Sequence, residues 1–413
     1  MRLTLALIAL VAAICDASPA RAATLADKLS SLINENSFFF QGANLDSLTP
    51  ALERIAIQGT DLPATSTVPG VTYVFDPELG VPVRSSGSLG PVFLERAETV
   101  GRHQVLLGLS YLHADLDQLD GHDAASGLFF QNSAPAVDTN TGEPLRIRNR
   151  LTFQELAIHL NEVSVSATYG ITDDWDANVL LPLVETALDT EARSQNFTVH
   201  ADGSVVPDRP THLALHDDAF GVGDLLLRTK YRVARTRLVD VAAGLTLRAP
   251  TGTTGDFHGI GDWTVTPAAI LSREFGHHEL HANVGVECNA GDLTRSRVRY
   301  GIGATIQPTE RFAGLIDVLG SSGVADDKFS QDGVAIPTSR FNGPFQTGPA
   351  IAGSDGSVHF TSVVPRTDIV DLALGVKGTL VGRLIGFVTV ILPLTNDGLR
   401  ADVIPAGGIE YTF

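Results

Sequence analysis

The chain has 413 residues, with 47 acidic against 29 basic side chains and a formal net charge of −18. That balance excludes nucleic acid as a partner, because phosphate binding needs a basic footprint. At 44% hydrophobic and 18% charged, the composition is too apolar for a disordered chain and too polar for a bundle of membrane helices.

The first element is a leader. Arg2 precedes an apolar stretch from Leu3 to Ile14, and Ala20-Arg21-Ala22 supplies a small-x-small site, so residues 1–22 are expected to be a cleaved signal peptide. The apolar run is too short to span a bilayer. Cys15 follows Ile14 rather than a small residue, which argues against lipid attachment. Only Cys288 remains beyond the leader, so no internal disulfide is expected. No later stretch makes a membrane helix; the best, Leu384 to Leu394, is too short.

Residues 23–100 form an irregular, partly helical N-terminal segment. Leu25, Leu29, Leu32 and Ile33 share one helical face, with Thr24 and Asp27 placed to cap it. A second short helix is expected to begin at Thr49-Pro50, since proline suits the first helical position. Beyond Asp61, Pro63, Pro69, Pro77, Pro82 and Pro91 exclude a central strand. Two readings remain for the segment: a periplasmic linker, or a plug folded into a lumen. Apolar Val71 to Phe75 favours the plug.

From Gly101 to Phe413 the period becomes two. Between Gly221 and Val233, Leu225, Leu227, Thr229, Tyr231 and Val233 share one face, and Asp224, Arg228, Lys230 and Arg232 the other. The same alternation marks Val163–Tyr169, Val239–Ala249, Leu280–Asn289 and Asp368–Val376. Short connections at Ile171–Asp174, Ala234–Arg237, Gly276–His278, Pro308–Arg311 and Gly378–Arg383 alternate with long ones at Gly121–Arg150, Ala192–Ala219, Thr251–Asp262, Gly291–Arg297, Gly320–Arg366 and Thr395–Ala401. Five turns and six loops define twelve strands with both ends on the short-turn side. This is the layout of an all-β, antiparallel transmembrane β-barrel in a Gram-negative outer membrane. Tyr169, Trp175 and Tyr231 flank short turns, and Trp263 and Tyr300 lie towards the opposite strand ends, as interface aromatics do. Ile409, Tyr411 and Phe413 alternate outward at the terminus and read as the signal for the outer-membrane assembly machinery.

Catalytic chemistry finds little support. His278 and His281 in the HHELH run lie three apart at a turn opening into a strand, so they face opposite ways and cannot share a metal as a helical HExxH pair does. Gly221-Val-Gly223 and Gly259-Ile-Gly261 lack the strand–loop–helix context of phosphate binding and read as bends at the barrel rim. No triad can be assembled, so no enzyme, cofactor or metal is expected. The functional surface is then the polar face. Asp224, Arg228, Lys230, Arg232, Asp240, Arg248, Glu287, Arg299 and Asp371 are expected to line the lumen, because Arg or Lys turned to lipid at mid-depth would cost roughly 2–4 kcal/mol.

Glu95 to Gly121 (ERAETVGRHQVLLGLSYLHADLDQLDG), Gly221 to Val233, Leu247 to Gly252 (LRAPTG) and Asn396 to Phe413 (NDGLRADVIPAGGIEYTF) resemble the outer-membrane transporter family labelled "MetA-pathway of phenol degradation". The resemblance runs from about Thr72 to the C-terminus. It implies a barrel channel, and in some members an association with the degradation of aromatic compounds. It supplies no catalytic or binding residues to carry over. The expectation is an outer-membrane channel, its partners being outer-membrane lipid, the assembly machinery and a small, hydrophobic or aromatic solute. The alternatives are a barrel hydrolase, or a structural or adhesive barrel with a sealed lumen.

Overall fold

The computed structural model describes residues 23–35, 48–68, 70, 73–76, 81–84, 88–124, 129–333, 346–347, 351–352, 358–364 and 366–413. The leader at 1–22 lies outside them, as do Val71 and Thr72 of the apolar N-terminal stretch. Twelve antiparallel strands close into a barrel: β1 (Val105–Leu119), β2 (Pro144–Gly170), β3 (Trp175–Val199), β4 (Thr211–Val222 continued by Leu225–Arg235), β5 (Asp240–Ala249), β6 (Thr264–Phe275), β7 (His278–Asn289), β8 (Arg297–Ile306), β9 (Phe312–Gly323), β10 (Asp368–Val381), β11 (Leu384–Pro393) and β12 (Leu399–Ala401 continued by Ile404–Thr412). Each strand pairs with its sequence neighbours. The sheet closes where β12 meets β1, with Ile409 opposite Leu109 and Tyr411 opposite Leu107. The Phe413 amide donates to the Val105 carbonyl at 2.8 Å and finishes that seam.

The short turns fall close to where the sequence placed them, whereas two of the expected loops are partly strand: β2 already begins at Pro144, and Ala192–Ala219 holds the end of β3 and the start of β4. Residues 171–174, 236–239, 276–277, 307–311 and 382–383 are the short connections, and long ones occupy the other end. β2 and β3 are 27 and 25 residues long, far beyond the roughly 9–11 that cross a bilayer. Their outer halves therefore stand clear of the membrane.

Alternation sets the two faces. Leu107, Leu109 and Tyr111 on β1, Val284 and Val286 on β7, and Ile302 on β8 are exposed. Lys230, Glu279, His281, Asp317, Lys377 and Glu410, from five strands, are buried. Large apolar side chains outside and charges inside invert the order of a water-soluble protein, and such a band is stable only against hydrocarbon. No helix among the described residues is long and apolar enough to cross a membrane. The crossing is made by strands, and the protein is an outer-membrane barrel of a Gram-negative bacterium.

The N-terminal segment begins with α1 (Leu25–Glu35) and α2 (Leu48–Thr60). The cap predicted for α1 is present and reciprocal: the Thr24 amide donates to Asp27 Oδ2 at 3.0 Å, and the Asp27 amide to Thr24 Oγ1 at 3.2 Å. Pro50 stands in the first turn of α2. Among the described residues, the proline-rich stretch adds no strand to the barrel. Tyr73–Asp76 and Val81–Arg84 pair only with each other.

Candidate functional site

The barrel interior holds an apolar core around the helices and ionic groups towards both ends. Towards the outer end, Leu112, Leu116, Phe153, Ile158, Leu188 and Leu213 of the wall form one apolar core with Leu25, Leu29, Ile55 and Ala56 of the helices. α1 lies against the outer half of β4, where Lys28 Nζ reaches Asp217 Oδ2 at 2.5 Å and the Leu25 amide donates to Asp256 Oδ1 at 3.0 Å. A narrow apolar cavity remains between helices and wall, bounded by Ala26, Leu29, Ile55, Leu116, Leu188 and Phe257.

Towards the short-turn end the interior is ionic, and residues 88–100 run through it. The Glu95 amide donates to Asn283 Oδ1 at 2.6 Å, and Asn283 Nδ2 returns a bond to the Glu95 carbonyl at 2.8 Å. The Ala97 amide donates to Ser272 Oγ at 3.0 Å, and the Leu89 amide to Gln307 Oε1 at 2.8 Å. Arg96 is wholly buried; its guanidinium donates to the Val68 and Gly70 carbonyls and lies 3.6 Å from Glu98 and 3.5 Å from Glu279. Lys377 Nζ reaches Glu410 at 3.2 Å and the Pro91 carbonyl at 3.3 Å.

Each of the nine expected inward residues has a definite place. Lys230 Nζ lies 3.1 Å from Glu95 Oε2 and donates to the Arg96 carbonyl at 3.0 Å. Arg228 donates to Asn178 Oδ1 at 2.8 Å and to the Thr65 carbonyl at 2.6 Å. Arg248 meets Asp61 at 2.8 Å, and Arg299 is shared between Glu287 at 2.7 Å and Asp61. Asp371 is paired with Arg400. Arg232 turns to Asp174 at 2.6 Å in the first short turn, and Asp240 faces Arg235 at 3.8 Å. Asp224 accepts from the Gly252 and Ile260 amides at 3.0 and 2.9 Å and so holds the β5–β6 loop.

The counter-charges on the N-terminal segment were missed. Asp61 faces Arg248, Arg297 and Arg299 together, and nothing in its local sequence announces three arginines from two distant strands. Burial by itself would raise the Asp61 pKa, but these guanidiniums outweigh it and hold the carboxyl well below the usual carboxylate range. Glu95 behaves alike: burial pushes up, while Lys230, Arg228 and bonds from Thr67 pull its pKa below the ordinary value.

The HHELH run divides as its period requires. Glu279 and His281 are buried on the inward face, with His281 Nε2 2.8 Å from Asp317 Oδ1. His278 is exposed, and its Nδ1 accepts from the Gln307 amide at 3.1 Å. The glycine pairs meet at one break in the wall. Leu180 to Leu183 on β3 faces Leu226 to Val222 on β4, three steps against four, so β4 accommodates an extra residue at Gly223-Asp224. A Cβ on Gly221 would stand 2.8 Å from His258 Nδ1, and one on Gly259 only 2.2 Å from Asp224 Oδ1. Both glycines serve close approach there; Gly259 lies in the packed β5–β6 loop.

No curated protein sequence matches the chain. Among solved structures, an outer membrane channel from Pseudomonas putida F1 aligns with 77% of this chain and 98% of its own at 12% identity and a TM-score of 0.45. The CymD monoaromatic hydrocarbon channel aligns with 75% and 88% at 11% identity and a TM-score of 0.27. A Pseudomonas aeruginosa FadL homologue aligns with 85% and 97% at 7% identity and a TM-score of 0.32. The profile of the family described as "MetA-pathway of phenol degradation" matches residues 131–352; it begins after β1 and ends before β10, leaving the motifs at Glu95–Gly121 and Asn396–Phe413 outside the match. That span is more than half of the sequence, and the chain belongs to this family.

Proposed function

We propose that the protein is an outer-membrane channel through which small, hydrophobic or aromatic molecules diffuse passively, with residues 23–100 acting as a plug that narrows the lumen. The observation that carries the reading is the packing of the N-terminal segment into the lumen: its helices share an apolar core with the wall, Asp61 pairs with Arg248 and Arg299 near the loop end, and residues 88–100 are bonded to the wall towards the short turns. An apolar core around the helices favours solutes that leave water readily, and inward charges that are already paired offer little to a passing ion. The inward charges assigned to Asp224, Arg228, Lys230, Arg232, Asp240, Arg248, Glu287, Arg299 and Asp371 thus hold the plug and wall in place and leave few sites for ions. Transport needs no covalent chemistry, and the function is proposed as non-enzymatic.

Two measurements test this. Cells with a lipopolysaccharide outer leaflet, few other channels and this protein should accumulate labelled toluene faster than cells without it, at unchanged sugar uptake. In planar bilayers, Asp61→Ala combined with Glu95→Ala should raise single-channel conductance several-fold. Unchanged toluene uptake would sink the channel reading, and unchanged conductance the plug.

A further inference from the structure

The outer half of β2 begins Pro144-Leu-Arg-Ile-Arg-Asn-Arg-Leu-Thr-Phe153, with arginine at every second position. Leu151 and Phe153 belong to the apolar core, so Arg146, Arg148 and Arg150 point the other way, and all three are exposed. Ala192 and Ser194 of β3 are buried, which turns Arg193 out on the same face.

The register supplies this row with no counter-charge. Arg146, Arg148 and Arg150 pair with Val199, Phe197 and Gln195, and Arg193 stands between Thr152 and His212. No carboxylate is paired across the sheet with any of the four. Arg146, Arg148 and Arg193 have no ion pair among the described residues, and the Arg150 guanidinium lies over the Phe197 ring at 5.8 Å. Lower on the same face the charges are matched: His159 lies 2.5 Å from Asp115 and 3.2 Å from Asp189, and His216 lies 2.9 Å from Asp189. Glu155 and Glu191, opposite each other in register, separate the two groups.

Height decides what the row meets. A tilted barrel strand gains about 2.5 Å of height per residue, which sets Arg150 roughly 50 Å from the short-turn end of β2 at Gly170. The hydrocarbon and both headgroup layers together take about 40–45 Å, so the row starts near their outer edge and rises beyond it. The outer leaflet of a Gram-negative outer membrane is lipopolysaccharide, and the layer above its lipid headgroups is a saccharide that carries phosphates. A guanidinium matches phosphate oxygens two at a time. We propose that the arginine row on β2 and β3 binds the phosphorylated core saccharide of the surrounding lipopolysaccharide and so fixes the upper wall in that layer. This surface depends on the outer-membrane placement and not on solute passage.

The test titrates full-length protein, folded in detergent, with labelled core oligosaccharide released from lipid A, before and after chemical removal of its phosphates. Binding should saturate, weaken with added salt, and fall several-fold both on dephosphorylation and when Arg146, Arg148, Arg150 and Arg193 are all replaced by alanine. Arg146→Ala with Arg148→Ala, and Arg150→Ala with Arg193→Ala, should each lose part of the affinity, which keeps the reading should the fourfold variant fail to fold. Arg237→Ala with Arg311→Ala removes two exposed arginines at the short-turn end and should leave binding unchanged. Full binding by the row variants, or by the dephosphorylated saccharide, overturns the proposal. So does competition by inorganic phosphate as effective, mole for mole, as that of the oligosaccharide. Toluene uptake by the row variants should match that of the unaltered protein, so either result leaves the channel reading standing.

Discussion

Asp61 ties the N-terminal segment to two strands of the wall. Its carboxylate is 4% exposed and faces Arg248, Arg297 and Arg299. Removing one member of a buried ionic group leaves the remainder uncompensated, which costs about 3–5 kcal/mol. Asp61→Ala is expected to loosen the segment without opening the sheet. Limited proteolysis of the folded protein should then cut between α2 and Leu89, while heat-modifiable gel migration stays unchanged. The pH response follows from the depressed pKa. A carboxyl lowered on folding contributes stability above its unfolded value, about 3.9, and loses it only as pH falls towards the folded value. Protection of the segment should hold from pH 8 down to pH 5; a loss near pH 6 would show that Asp61 does not anchor it. Period two made the inward direction of Arg248 and Arg299 legible in the sequence. Their partner was not, because Arg299 and Asp61 stand 238 positions apart and no local pattern encodes a contact of that range.

At the scale of elements, legibility follows locality. The α1 cap is written in residues three apart, and the five short turns in residues two to six apart, so both could be read directly. The break in β4 could not, because it depends on β3, the β5–β6 loop and the space His258 takes beside Gly221. β12 is an intermediate case. Its alternation was plain, and it turns Ile409, Tyr411 and Phe413 outward, with the Tyr411 and Phe413 rings edge-on at 4.6 Å. This strand closes the barrel on β1, so we propose that the exposed aromatic end is presented to the assembly machinery before closure. Phe413→Ala removes an outward ring but keeps the amide bond to Val105. Barrel stability after refolding in detergent should change by less than 1 kcal/mol, as for an exposed position, while the yield inserted into outer membranes falls several-fold. Equal loss in both would make Phe413 a structural residue and nothing more.

For the whole molecule, the governing quantity is which solvent each part of the surface meets. Exposure alone cannot tell: Ile302, midway along β8, is 63% exposed, and Val205, in the strand Val205–Pro207 beside the far end of β3, is 51% exposed. Both would pass for ordinary surface residues in a soluble sandwich. The two long strands decide between them. β3 runs 25 residues from the short turn at 171–174, so its far end and Val205 stand well beyond the hydrocarbon, whereas Ile302 sits four residues from the short-turn end of β8 and within it. An arginine at the first position must carry its charge into lipid or drag water in, at roughly 2–4 kcal/mol near the midplane; at the second it meets water and is close to neutral. Ile302→Arg should therefore lower the urea midpoint of the protein folded in phospholipid vesicles, with Val205→Arg leaving it unchanged. Equal effects of the two would mean that a single solvent surrounds the whole surface, and the membrane assignment would fail with the difference.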